Sequence, residues 1–274
     1  MARTKYQYHS LEDFLISKVA SVDGILDGGG GATFPVKGRE IEATIMFADV
    51  SEFSRRSFDL SPTETLIFVN NFFTWVTAEA LRGRHGIIDK YIGDEIMIVF
   101  SKEFGSEDPF AEAVQAARYM SEYDAHSFDP HIGIASGLVT VGYVGTPMRY
   151  NCSVFGKPVV LASRCSGYRP DRPGERSYST SIAFPAAEWQ DRSFKDLFPP
   201  RYLPLPDGTT REDPTTWEMM SPRKVRMKNM PELEIQEIVN RGLHWPTPSA
   251  GERARIALRD LHEAGRYWPR QPVT

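Results

Sequence analysis

The sequence predicts an α+β fold, a largely antiparallel sheet with helices packed on one side. Three observations carry the prediction. Apolar runs of strand length sit at residues 41–48, 86–91 and 95–100, and helical patterns occupy 61–82 and 107–124. Gly93-Asp94 joins two of the runs as a hairpin signal. The resulting order of strand, helices, strand, strand, helix, strand, with later additions, is that of an α+β sandwich.

Taken in order, Leu11, Phe14, Leu15 and Val19 recur at helical spacing within 10–22, and Asp27-Gly28-Gly29-Gly30-Gly31-Ala32 breaks that pattern. The glycine run reads as a flexible connector rather than a phosphate loop, because no Gly-Lys-Ser/Thr follows it. After the strand at 41–48, Ser61-Pro62-Thr63-Glu64 supplies a cap with proline at the first helical position, and helix follows to about Arg82. The alanine-rich 107–124 is a further helix. His131 to Gly145 reads as a second, Gly-rich hairpin, where glycine lets a backbone or ligand approach closely. Val159, Val160, Ala162 and Ser163, with Pro158 in the first turn, predict a helix over 155–166. Strands at 177–184, 223–229 and 232–239 complete the sheet. Residues 185–221, rich in Pro, Asp and Thr, form an excursion, and a charged last helix near 249–264 is either a solvated cap or a partner surface. The organisation is an N-terminal helix and linker (1–39), a principal domain (40–240) and a C-terminal helical extension (241–274).

A chain of 274 residues, 41% hydrophobic and 12% aromatic, can bury a sizeable core. No run approaches the roughly 18 apolar residues of a membrane span, and the N-terminus lacks the apolar stretch of a signal peptide, so the expected location is the cytoplasm. Cys152 and Cys165 match no zinc spacing and are expected as free thiols. A net charge of -4 with dispersed basic residues gives no footprint for a nucleic-acid polymer.

The chemistry concentrates on two aspartates, each at the mouth of an apolar strand. Asp49 closes Ile45-Met46-Phe47-Ala48, and Asp94 stands on the turn before Glu95-Ile96-Met97-Ile98-Val99-Phe100. If those strands are neighbours, the two carboxylates converge at one sheet edge. Hard oxygens with no Cys or His beside them suit Mg²⁺ or Mn²⁺, completed by substrate phosphates, so the pattern reads as a metal-nucleotide site.

Phe47-Ala48-Asp49-Val50-Ser51-Glu52-Phe53-Ser54 and Lys90-Tyr91-Ile92-Gly93-Asp94 are followed by Ile132-Gly133-Ile134-Ala135-Ser136-Gly137, the Phe155 to Arg164 segment and the Val225 to Ile238 hairpin. In this order, across 41–239, they resemble the catalytic domain of class III nucleotidyl cyclases. The resemblance implies a ferredoxin-like palm sandwich acting as a head-to-tail homodimer, each of two equivalent sites drawing on both subunits. Asp49 and Asp94 would come from one subunit, and Lys90, Ser153 and Arg164 from the other. Two Mn²⁺ or Mg²⁺ ions per site would be held by Asp49, Asp94 and the Val50 carbonyl. They would assist attack of the ribose 3′-oxygen on the α-phosphorus, with release of pyrophosphate. Backbone N–H groups of Val50, Ser51, Glu52, Phe53 and Ser54 would cradle the β- and γ-phosphates, and Arg164 would stabilise charge on the α-phosphate. Arg55 and Arg56 are solvated charges or additional phosphate contacts. Met230 falls near the place of a common phosphate-binding lysine, which leaves Lys228 or an arginine as a substitute.

The base-reading positions are mixed. Lys90 matches adenylate-type members, whereas Ser153 replaces their aspartate. Lysine only donates and a hydroxyl both donates and accepts, which suits uracil, while adenine would lose the acceptor for its amino group. Val160 stands where an asparagine that orients the ribose is common. These departures make the chain look like the stand-alone pyrimidine cyclases of bacterial Pycsar anti-phage systems, whose product activates a separate effector protein. UTP, converted to cyclic UMP, is the preferred substrate over CTP. An adenylate cyclase, an inactive nucleotide-binding module and a diguanylate cyclase or polymerase-like palm are the competing readings. The last lacks its Gly-Gly-Asp/Glu-Glu-Phe signature.

Overall fold

The structure, a computed structural model, describes residues 8, 10–16, 38–122, 124, 128–146, 149–170, 180–205, 207–213, 216–241 and 250–265. The glycine run at 27–32, the predicted helix beyond residue 16 and the start of the strand predicted at 177 lie outside them. In chain order the elements are α1 (Leu11–Ile16), β1 (Arg39–Asp49), α2 (Phe53–Ser57), α3 (Pro62–Trp75), β2 (Ile87–Ile92), β3 (Glu95–Phe100) and α4 (Pro109–Glu122). Then follow β4 (His131–Thr146), β5 (Arg149–Phe155), α5 (Lys157–Ser166), β6 (Thr180–Pro185), α6 (Phe194–Leu197), β7 (Arg201–Pro204), β8 (Thr210–Asp213), β9 (Trp217–Met219), β10 (Arg223–Arg226), β11 (Glu232–Asn240) and α7 (Ala250–Glu263).

The sheet runs β10-β11-β6-β4-β1-β3-β2, with β5 paired to β4 and β9 to β11. Only β4 and β6 pair in parallel among these ladders. Central β1 is antiparallel to both β3 and β4, and its alternation sorts two cores. Met46 and Ala48 face a cluster with Phe68, Phe72, Val114 and Met120 from α3 and α4, while Ile45 and Phe47 face Phe14, Leu15, Leu161 and Ala162 from α1 and α5. The α+β prediction holds. The helices, expected on one side, are divided: α3, α4 and α7 cover one face and α1 and α5 the other.

Local chemistry explains the boundaries. Ser61 and Glu64 form a reciprocal capping box, Glu64 Oε2 accepting from the Ser61 amide at 2.8 Å, and Pro62 opens α3. The helix predicted to Arg82 ends at Trp75 and continues as a wider π-type turn over Val76–Ala80. The expected hairpin within 131–145 is instead one strand of 16 residues, β4, whose hairpin partner is β5. Its glycine serves close approach: a Cβ on Gly133 would stand 2.0 Å from the Ala162 carbonyl oxygen, so glycine is what seats α5 on the sheet. In α7, Ala254, Ala257, Leu258 and Leu261 recur at helical spacing and are buried against α2 and α3, so the last helix is part of the core rather than a solvated cap. Among the described residues no helix is long and apolar enough to cross a membrane.

Candidate active site

Asp49 ends β1 and lies in register with Glu95 of β3 and His131 of β4. Asp94 sits on the β2–β3 turn beside Gly93, whose φ of 63° makes the tight reversal possible. The predicted convergence of Asp49 and Asp94 is therefore present, and Glu95 joins them. Burial pushes Asp49 up to about 7; the Arg169 charge opposes this, and the Glu95 and Asp94 carboxylates reinforce it. Burial likewise raises Asp94 and Glu95, and Glu95 accepts a hydrogen bond from Ser166 Oγ at 2.9 Å. Arg169 Nη2 stands 3.5 Å from Asp49 Oδ2. Asp49 Oδ1 is buried without a hydrogen-bond partner among the described residues.

That orphaned oxygen, set among crowded carboxylates, fits a divalent cation. Among the described residues no three His, Cys, Asp or Glu side chains are grouped to hold a metal by themselves. The donor set suits an ion whose shell phosphate oxygens complete. Glu95 was legible as the neighbour of Asp94; Arg169 was not, because it lies beyond the predicted helix and reaches Asp49 only through the fold.

The turn after β1 is tighter than a free cradle. The Ser51 amide donates to the Phe128 carbonyl at 3.2 Å and the Phe53 amide to the Val50 carbonyl at 3.3 Å. Those two of the five predicted phosphate donors are thus engaged within the chain, and so is the Val50 carbonyl proposed for metal. Glu52, with φ 53°, opens the short α2, and Ser54 is exposed. The two following arginines part company: Arg55 is exposed and pairs with Glu52 at 2.7 Å, whereas Arg56 is fully buried and pairs with Asp129 at 3.4 Å. His131 is buried, its Nδ1 3.0 Å from Ser181 Oγ, and burial together with the Arg169 and Arg56 charges holds it down at about 3.

A second cluster lies on β2 and β5. Lys90 Nζ donates to Ser153 Oγ at 2.6 Å, bringing together the two predicted base-reading residues. Ser153 Oγ in turn donates to Asp89 Oδ2 at 2.8 Å, and Lys90 pairs with the same oxygen at 3.2 Å. Burial raises Asp89, with Lys90 and Ser153 opposing. The register of β2 on β3 slips between Ile88 and Lys90, leaving Asp89 as the extra residue of a bulge. Two consecutive side chains thereby reach the same serine, an arrangement that strict alternation forbids. The cluster lines a cavity of about 380 Å³ with Ser10, Leu11 and Glu12 of the α1 region, Tyr150 and Asn151.

Arg164 is exposed in the last turn of α5 and makes no ion pair among the described residues. Among the described residues the guanidinium that pairs with Asp49 is that of Arg169, not Arg164. Val160 is 51% exposed on the same helix, and Lys228 is exposed on the β10–β11 turn.

Residues 36–168 match the Adenylate and Guanylate cyclase catalytic domain family, just under half of the chain. They contain the Asp49 cluster, the Lys90 cluster and Arg164. Over this segment the chain is similar to the catalytic domains of class III nucleotidyl cyclases. The guanylyl cyclase Cya2 shares the fold of the cyclase domain with a TM-score of 0.53 at 20% identity, over 78% of this chain and 98% of that one. The adenylyl cyclase CyaB from P. aeruginosa gives 0.50 at 19% identity, over 74% and 96%. An uncharacterized protein of Mycobacterium tuberculosis is 29% identical over 155 residues, 55% of this chain and 29% of that protein. The chain thus spans less than a third of the length of that curated relative.

Proposed function

We propose that the chain is a nucleotidyl cyclase that converts a nucleoside triphosphate to its 3′,5′-cyclic monophosphate and pyrophosphate. The carrying observation is the Asp49, Asp94 and Glu95 cluster at the end of β1, with Asp49 Oδ1 buried and unpartnered. Mn²⁺ or Mg²⁺ bound by Asp49 and Asp94 would lower the pKa of the ribose 3′-hydroxyl and offset charge on the leaving phosphates. Arg56, buried and paired with Asp129, lies just after residues 50–54, on whose backbone the triphosphate would rest. Arg164, exposed and without an ion pair among the described residues, would serve the α-phosphate across a homodimer. Exposed Leu138, Phe155 and Val160 supply apolar surface for that contact.

For the base, UTP is the substrate carried over from the sequence, with Lys90 donating to O4 and Ser153 accepting from N3–H. Its product, cyclic UMP, would act on a separate effector protein, as in the anti-phage systems the chain resembles. One observation favours ATP as a second reading. Ser153 gives its proton to Asp89, so its oxygen supplies the acceptor that adenine's amino group needs. Incubation with Mn²⁺ and each of ATP, GTP, CTP and UTP, with products identified by mass, tests both. Cyclic UMP supports the first reading and cyclic AMP the second, and absence of any cyclic product overturns the cyclase reading.

A further inference from the structure

We infer that Asp89 is a specificity-determining positioning residue. It takes the Ser153 proton, so that Ser153 presents only acceptor capacity to a base whose edge carries an N–H beside an acceptor. The inference rests on the cyclase reading only in taking a nucleotide to enter the cavity lined by Asp89, Lys90 and Ser153.

The argument is a count of protons. A serine hydroxyl has one hydrogen and two lone pairs. Ser153 spends its hydrogen on Asp89 Oδ2 at 2.8 Å, because a carboxylate can only accept, and spends one lone pair on Lys90 at 2.6 Å. One lone pair remains. Lys90 keeps donor capacity beyond its bonds to Ser153 and Asp89, lines the cavity, and has a side chain 40% exposed while that of Asp89 is fully buried. The pair offered to a ligand is therefore a lysine donor beside a serine acceptor, polarised from below by a carboxylate. Asp89 Oδ1 is itself buried without a hydrogen-bond partner among the described residues, so the carboxylate is held there by the bulge and not by a saturated network of its own. Without that charge the serine rotor is free to give or to take, and the demand for an N–H on the base disappears.

Equilibrium binding of the four 3′-deoxynucleoside triphosphates, which lack the attacking hydroxyl, is measured with Mn²⁺ for wild type, Asp89→Asn, Ser153→Ala and the double variant. Inorganic triphosphate serves as the base-free control, and thermal melting checks folding. Ser153→Ala keeps the Asp89–Lys90 pair should Asp89→Asn fail to fold. The ratio of best-bound to worst-bound base is expected to fall about tenfold in each single variant and no further in the double, with triphosphate binding unchanged. A uniform loss across bases and triphosphate, an unchanged ratio, or additive losses would overturn the inference. So would a wild type that binds none of the four or does not discriminate among them. Discriminating binding without cyclic product from the ordinary triphosphates would sink the cyclase reading and leave the role of Asp89 standing.

Discussion

Arg169 reaches back from beyond α5 to set its Nη2 3.5 Å from Asp49 Oδ2, so the carboxylate ending the central strand is part-neutralised before any ligand arrives. The guanidinium does not cancel the burial. Asp49 stays raised from 3.8 to about 7, and between those values the folded chain holds a proton that the unfolded chain releases. Its contribution to stability therefore falls as pH rises through that window. His131, lowered from 6.5 to about 3, acts oppositely: the unfolded chain takes up a proton that the fold refuses, so stability is lost as pH falls.

Asp49→Asn isolates the first effect. In metal-free buffer its free energy of unfolding relative to wild type should climb between about pH 4 and pH 8, by an amount on the order of 1–2 kcal/mol after allowing for the partial exposure of the carboxylate. A difference that does not change with pH would show that Asp49 is not held protonated by the fold.

Asp49→Ala and Arg164→Ala should each lower cyclic-nucleotide formation by about 100-fold. If the two residues act from different subunits, mixing the inactive variants creates heterodimers with one intact site, and activity should return to about a quarter of wild type. Failure of the mixture to recover, with both singles inactive, would count against a shared site.

Gly133→Ala should be severely destabilising, since the new methyl would meet the Ala162 carbonyl at 2.0 Å and the Ser166 amide at 2.1 Å. Denaturant unfolding should show a loss of about 3 kcal/mol. A near-neutral result would mean that α5 can lift from β4 freely, contrary to the packing described.

Leu258→Ala tests the last helix. Leu258 is 4% exposed within the core shared by α3 and α4, and its truncation should cost about 2–4 kcal/mol by chemical denaturation. A loss below about 0.5 kcal/mol is what a solvated cap would give.

The sequence by itself determined the α+β class, the order of the main elements and the pairing of Asp49 with Asp94. Those follow from local signals: an apolar run that ends in a carboxylate, a Gly-Asp turn, a Ser-Pro-Thr-Glu cap. It also named Lys90 and Ser153 as base-reading residues, though only by resemblance. The tertiary structure decided what depends on contacts between distant segments. Seating α5 on β4 divided the helices between two faces, and burial of one side of α7 turned a charged helix into core. A one-residue slip of β2 on β3 aimed Asp89 beside Lys90 at Ser153. Arg169 met Asp49, and Arg56 separated from Arg55, because side chains reach across the sheet and the turn rather than along the chain. Periodicity reports which face a residue takes within its own element; register, bulges and the charge that stands opposite exist only once the strands have paired.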